Sequence, residues 1–186
     1  MLHDPSHYEP PPIAEEIKLR RRDQAVLRRL AEELAPIAAL PEHQEKARLW
    51  QKLNDLQSER PMVWINEIPW HEMNVDDELT LLTEHPWARD MERELRRTLY
   101  QWRHLPGDMI VSDFLACPLA VHSTDFGIIE DVEVVKTDET SDIVSRRFHQ
   151  QIASLADLDK IHTPVVTLDV AASERSYACL CAAAEG

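Results

Sequence analysis

Two short apolar runs, each closing on polar side chains, organise the pattern of this chain. Pro61-Met-Val-Trp-Ile-Asn-Glu67 and Asp108-Met-Ile-Val-Ser-Asp113 stay apolar for a few residues and then turn polar and ionisable. A strand buried on both faces has this pattern when its carboxyl end opens into a site. Helical periodicity separates the two runs, so the pattern predicts neighbouring parallel strands of an α/β sheet or barrel, joined as a right-handed βαβ unit.

Three helices are predicted around them. The first covers about Ile13 to Ala35, with Val26, Leu27, Leu30 and Leu34 as its apolar stripe and Pro36 just beyond. The second has Pro41 near its first turn, carries Leu49, Trp50, Leu53 and Leu56, and ends before Pro61. In the third, opened by Pro86, residues Trp87, Met91, Leu95, Leu99 and Trp102 recur at helical spacing and form one buried face. Glu92 and Arg96 pair on its flank, for ~0.2–0.5 kcal/mol.

Beyond Asp113 the pattern weakens. Residues 126–135 alternate apolar and acidic in part, as in a half-exposed strand or hairpin at a sheet rim. Residues 157–161 predict a short helix stopped before Pro164. Residues 165–170 fit a strand or an extended connection, and Ser173 a cap for a final helix through Ala184. The domain reading is therefore a flexible lead-in over 1–12, a helical extension over 13–60 and an α/β segment over 61–186.

Composition narrows the class. The chain has 186 residues with only three glycines but twelve prolines, so tight hairpins are few and α/β is favoured over a β-sandwich. Residues 1–105 hold 15 basic and 20 acidic side chains, a balance of −5; residues 106–186 hold 5 and 14, a balance of −9. Such a surface repels phosphate backbones, so nucleic acid is not an expected partner. Arg20-Arg21-Arg22 sits in a helical pattern with nearby glutamates and is read as a solvated face. Cys117, Cys179 and Cys181 make no disulfide framework. The N-terminal residues lack the pattern of a signal peptide and no apolar run has membrane-spanning length, which makes the cytoplasm the expected location and excludes a membrane partner.

Five residues are candidates for chemistry. Asp113, at the carboxyl end of the second run, suits stabilisation of a developing cation or relay of a proton; a turn cap or an arginine partner is the structural alternative. Glu67 and His71, with Glu72, are near enough in sequence for an acid/base pair or part of a metal site, against an alternative as exposed loop residues. A zinc-protease motif is excluded, because Val75 stands where His-Glu-x-x-His needs its second histidine. His122, in the loop after the second run, suits contact with a ligand or a hydrogen bond within the loop. Cys179-Leu-Cys181 would send its thiols to different helix faces, and no metal site is assigned.

Taken together, these motifs resemble the uroporphyrinogen decarboxylase superfamily. Pro61-Met-Val-Trp-Ile65 is similar to its first-strand motif P-x-V-W-x-M-R-Q-A-G-R, and Met109-Ile-Val-Ser-Asp-Phe-Leu115 to its second, I-I-F-S-D-I-L. The stretch through Phe126-Gly127 and Val132-Glu-Val134 resembles its rim hairpin. Leu158-Asp-Lys-Ile161 with Pro164 resembles its D-L-x-K-L-x-x-P connection. Arg48-Leu-Trp-Gln-Lys-Leu-Asn54, Asn74-Val-Asp-Asp-Glu-Leu79 and Leu95-Arg-Arg-Thr-Leu-Tyr-Gln-Trp102 resemble a subgroup with a helical N-terminal extension.

The resemblance covers roughly residues 20–170. It implies a (βα)8 barrel, a fold that typically needs ~250 residues. The expected architecture is thus α/β: an N-terminal helical extension followed by the first strands and helices of a TIM-type barrel, truncated. Asp113 matches the catalytic aspartate, whereas Glu67 and His71 stand where decarboxylases have substrate-holding arginines. The superfamily also includes zinc-dependent methyltransferases that use a corrinoid. The resemblance therefore implies a parent acting on a tetrapyrrole, or exchanging a methyl group with a corrinoid protein, with corrinoid and zinc belonging to that parent and no cofactor to this chain. Catalysis by the chain alone is not expected. The alternative is a non-catalytic module that self-associates into a homo-oligomer.

Overall fold

The computed structural model describes residues 19–135 and 144–184. They form a mixed α/β structure with helices α1 (Arg21–Ala38), α2 (Glu42–Asn54), α3 (Pro86–His104) and α4 (Val170–Ala184). The strands are β1 (Val121–Ser123), β2 (Val132–Val135), β3 (Ser145–Phe148) and β4 (Val166–Leu168). The chain divides into two compact units. Among the described residues, 19–116 and 179–184 belong to the first, and 117–135 and 144–178 to the second.

The first unit holds the core. α1 buries Asp23, Leu27, Leu30 and Leu34, one face at spacings of four, three and four. α3 buries Ala88, Glu92, Leu95, Arg96 and Leu99. These faces share one apolar cluster with Met109, Val111 and Ala183, against which Trp87, Met91 and Trp102 pack partly buried.

Local chemistry sets the helix ends. α1 runs through Pro36 to Ala38, past the expected stop, because a proline in the last turn forfeits one hydrogen bond while Ala39 N–H still reaches Ala35 O at 3.1 Å. α2 ends in a glycine-type turn built without glycine. Leu56 takes φ 59°, and Gln57 N–H donates to Lys52 O at 2.8 Å. α3 starts with His85 Nδ1 accepting from Trp87 N–H at 3.2 Å, followed by Pro86. Its last turn carries Arg103 and His104, which suit the negative end of the helix dipole.

The two apolar runs are not the expected parallel strands. Residues 61–67 and 108–113 join no ladder, and the second run starts in a turn at Asp108 and ends in a bend at Asp113; the two touch where Asp108 N–H donates to Val63 O at 2.9 Å. Side chains occupy the backbone groups that a ladder would use. Val63 N–H donates to Asp108 Oδ2 at 2.8 Å, Gln101 Nε2 to Ile65 O at 2.6 Å and Trp50 Nε1 to Asp108 O at 2.9 Å. Gly107, at φ +46°, allows the approach, since a Cβ there would lie 2.9 Å from Val63 O. Only the second run is deeply buried, through Met109 and Val111; Val63 and Trp64 are more than half exposed.

The second unit contains two antiparallel pairs instead. β1 pairs with β4, with His122 opposite Thr167, and β2 pairs with β3, with Glu133 opposite Arg147. Of the strand or hairpin expected over 126–135, the structure shows the strand β2, whose partner β3 lies outside that stretch, and the segment 165–170 contains β4. The short helix appears as a 3₁₀ turn, Leu155–Lys160, held by reciprocal bonds between Ser154 and Asp157. α4 starts before Ser173: Asp169 Oδ1 accepts from Ala172 N–H at 2.8 Å, while Ser173 Oγ, already inside the helix, donates to Asp169 O at 2.7 Å. Gly127, at φ +80°, passes so close to Lys160 O that a Cβ would collide with it. Among the described residues of this unit, none is buried.

Candidate functional site

The sequence candidates fall into separate settings. Asp113 lies exposed in a bend just beyond the buried Val111. Glu67 is exposed, and His71 sits in the 3₁₀ turn Trp70–Glu72 with Nε2 3.4 Å from Glu72 Oε1. His71 Nδ1 is buried without a hydrogen-bond partner. No hydrogen bond or ion pair joins Asp113, Glu67 and His71 to one another. His122 belongs to the second unit, on the exposed side of β1. Among the described residues, no three His, Cys, Asp or Glu side chains are grouped to hold a metal. Cys179 is buried, which raises its thiol pKa, and Cys181 is half-buried.

The most deeply buried carboxylates are elsewhere, around the segment 82–85 that leads into α3. Four successive backbone N–H groups point at two buried carboxylates. Leu82 and Thr83 donate to Glu92 Oε2 at 2.9 and 2.8 Å, and Thr83 Oγ1 adds a bond of 2.7 Å. Glu84 and His85 donate to Asp23 at 3.0 and 3.3 Å. Arg96 Nε donates to Glu92 Oε1 at 2.7 Å, and Arg96 Nη1 to Glu78 O at 2.7 Å. Burial alone would raise the pKa of Glu92; the N–H groups of Leu82 and Thr83, the Thr83 hydroxyl and Arg96 outweigh it and hold the carboxyl below its ordinary value. The pair expected on the helix flank forms, and it is interior, with Glu92 fully buried and Arg96 nearly so.

Two more polar anchors fix the apolar runs. His43, buried on α2, has Nε2 2.9 Å from Ile37 O and accepts at Nδ1 from Val111 N–H at 3.4 Å, with its ring tilted against Trp102. Arg60 grips Asp108 with two bonds of 3.0 and 2.5 Å. That guanidinium, with Val63 N–H, lowers the Asp108 pKa to about 2. Because the folded-state pKa is depressed, the associated stability is complete above pH ~4 and lost as pH falls toward 2. Arg60 is 45% exposed, so solvent screening keeps the effect modest. Unfolding midpoints measured from pH 5 to pH 2 are expected to fall less steeply in Arg60→Gln than in the parent chain.

A cleft of about 230 Å³ opens between α1 and α3. Arg29, Leu30 and Glu33 line it from α1, Arg96, Leu99 and Arg103 from α3, and Glu78 completes the wall. Arg103 bonds both Glu33 and Glu78, and His104 Nε2 lies 2.8 Å from Glu78 Oε1. Glu78 is pushed up by its burial but held below its ordinary pKa by Arg103 and His104. Sequence reasoning missed this cleft and the two buried carboxylates. The available signal was that Asp23 and Glu92 continue the spacing of the leucine stripes.

No family model, no curated protein and no solved structure matches this chain. No described helix is long and apolar enough to cross a membrane.

Proposed function

We propose that this chain forms the N-terminal part of a uroporphyrinogen decarboxylase-like barrel protein in the cytoplasm, inactive until the rest of the barrel covers it. One observation supports this reading most: the described residues of 117–178 include none that is buried, yet Phe126, Ile129, Phe148 and Leu155 are apolar and well exposed. Two-stranded sheets are marginal by themselves and leave edges open to pairing. A segment of this kind needs further polypeptide over it, and its motifs are those that resemble a barrel rim.

In this reading Asp113 is the catalytic carboxylate, stabilising positive charge that develops on the substrate, and Glu67 and His71, in the same unit, contribute to the mouth, while His122 is a ligand contact of the second unit. Glutamate is a poor holder of a polycarboxylate, so methyl transfer involving a corrinoid is favoured over decarboxylation of a tetrapyrrole. Zinc would come from the remainder of the barrel, and no step is assigned to zinc held by this chain.

The test is co-expression with the C-terminal remainder of a uroporphyrinogen decarboxylase-like barrel. Turnover is assayed with methylcobalamin plus a thiol and with a uroporphyrinogen. A stoichiometric complex is expected, whose turnover Asp113→Asn lowers ~100-fold or more without dispersing it. Failure to associate, or undiminished turnover in the variant, would overturn the proposal.

The same exposed apolar surface favours a second reading, a self-associating module. A concentration-dependent dimer by light scattering that the barrel remainder does not compete away would favour it.

A further inference from the structure

We infer that His43 is a proton-operated latch: as a neutral imidazole it holds the run 108–113 in place, and protonation of its ring releases that run. The inference stands on the first unit alone and on no step of the barrel reading. To that reading it adds a control on Asp113, two residues beyond the latched amide.

Geometry fixes which ring nitrogen carries the hydrogen. Nε2 lies 2.9 Å from Ile37 O, and a carbonyl oxygen only accepts, so Nε2 bears it. Nδ1 faces Val111 N–H at 3.4 Å, and an amide only donates, so Nδ1 is bare. One neutral tautomer therefore uses both nitrogens. Val111 N–H has no other acceptor among the described residues, and both residues are buried.

A proton added at Nδ1 sets two N–H groups against each other where water does not reach. Turning the ring over brings no relief, because both nitrogens of the charged form are donors. Nor does a carboxylate stand ready to receive the charge. On α2, Lys46 lies 4.9 Å from the centre of the Trp102 ring against which His43 packs, and Glu42 is bonded to Lys46. Arg60 occupies Asp108 in the run itself. From α3, Arg103 turns to Glu33 and Glu78, while α1 presents only the Ile37 carbonyl.

The release is local. Arg60 and Trp50 fasten the run at Asp108 independently of His43. Beyond Val111, residues 112–116 make no hydrogen bond to a described residue, so the His43 bond is the last tie before Asp113.

The test follows the His43 ring by nitrogen-15 NMR and amide exchange at Val111, in the whole chain, from pH ~8 to ~5. Protection is taken relative to the intrinsic exchange rate at each pH. The Nε2–H tautomer is expected at the start. As the ring gains its proton, protection at Val111 should fall ~10-fold or more while Leu95 and Leu99 keep theirs. His43→Asn, whose side-chain oxygen can replace Nδ1 without titrating, should abolish the step. If that variant does not fold, the unsubstituted chain still decides. The opposite tautomer, protonation with Val111 unchanged, loss at Val111 while the ring is neutral, equal loss at Leu95, or a step that persists in His43→Asn would each overturn the inference. No turnover is measured, so failure here is distinct from failure of the barrel reading.

Discussion

Glu92→Ala is expected to destabilise the first unit by about 3–5 kcal/mol, a large part of the ~5–15 kcal/mol that holds a domain folded. The loss does not come from the Arg96 pair alone. Removing the carboxylate also strands the Leu82 and Thr83 N–H groups and the Thr83 hydroxyl, and leaves Arg96 without its Nε acceptor. Replacing both partners of a buried ion pair by apolar residues is often harmless, but here Glu92→Leu combined with Arg96→Met would still orphan the segment 82–83. Arg96→Met alone should therefore cost less than Glu92→Ala, because Glu92 keeps three of its donors. Urea unfolding followed by far-ultraviolet circular dichroism measures both. A loss below ~1 kcal/mol for Glu92→Ala would mean that the carboxylate is solvated.

Leu95→Ala should cost about 2–5 kcal/mol. Leu95 is 2% exposed at the centre of the cluster formed by Leu27, Leu30 and Leu99, where α1 and α3 meet. A cavity there has rigid walls on both sides, since the Asp23 and Glu92 bonds tie the neighbouring segment to each helix. Collapse of the site is therefore restricted, which favours the upper half of the range. Leu155→Ala, at a position 86% exposed in the second unit, should change stability by less than ~0.5 kcal/mol. Chemical denaturation of the two variants side by side checks the contrast, and equal losses would show that the second unit has a core of its own.

The helices were legible in the sequence because their stripes are long and regular. α1, α2 and α3 overlap the expected stretches, and Leu95 and Leu99 are buried as their spacing indicates. α1 begins at Arg21, with the expected start over 13–18 outside the described residues, and Leu56 lies exposed beyond α2 rather than in its stripe. What misled was charge. Ala88, Glu92, Leu95 and Leu99 define the most buried line of α3, and the carboxylate in it reads as a surface residue until its four donors are seen. Asp23 hides in the same way, next to three arginines.

The apolar runs failed for a different reason. Their apolar pattern predicted paired strands, but pairing depends on which groups reach the N–H and C=O positions. Asp108, Gln101, Trp50 and His43 reach them first, from 36 to 68 residues away in sequence. No local pattern encodes such contacts. Of the candidate site, the exposed carboxyl of Asp113 after a buried run was readable, whereas the cleft needs two helices to be packed before its arginines converge.

Hydrogen exchange read by mass spectrometry on the dilute chain tests the central proposal, that the described residues of 117–178 lack a core and await further polypeptide. Slow exchange in α1 and α3, with complete exchange of β1, β2, β3 and β4 within seconds, is the result expected. Protection of those strands equal to that of α3 would contradict it, because strands that hold their hydrogen bonds in isolation need no cover.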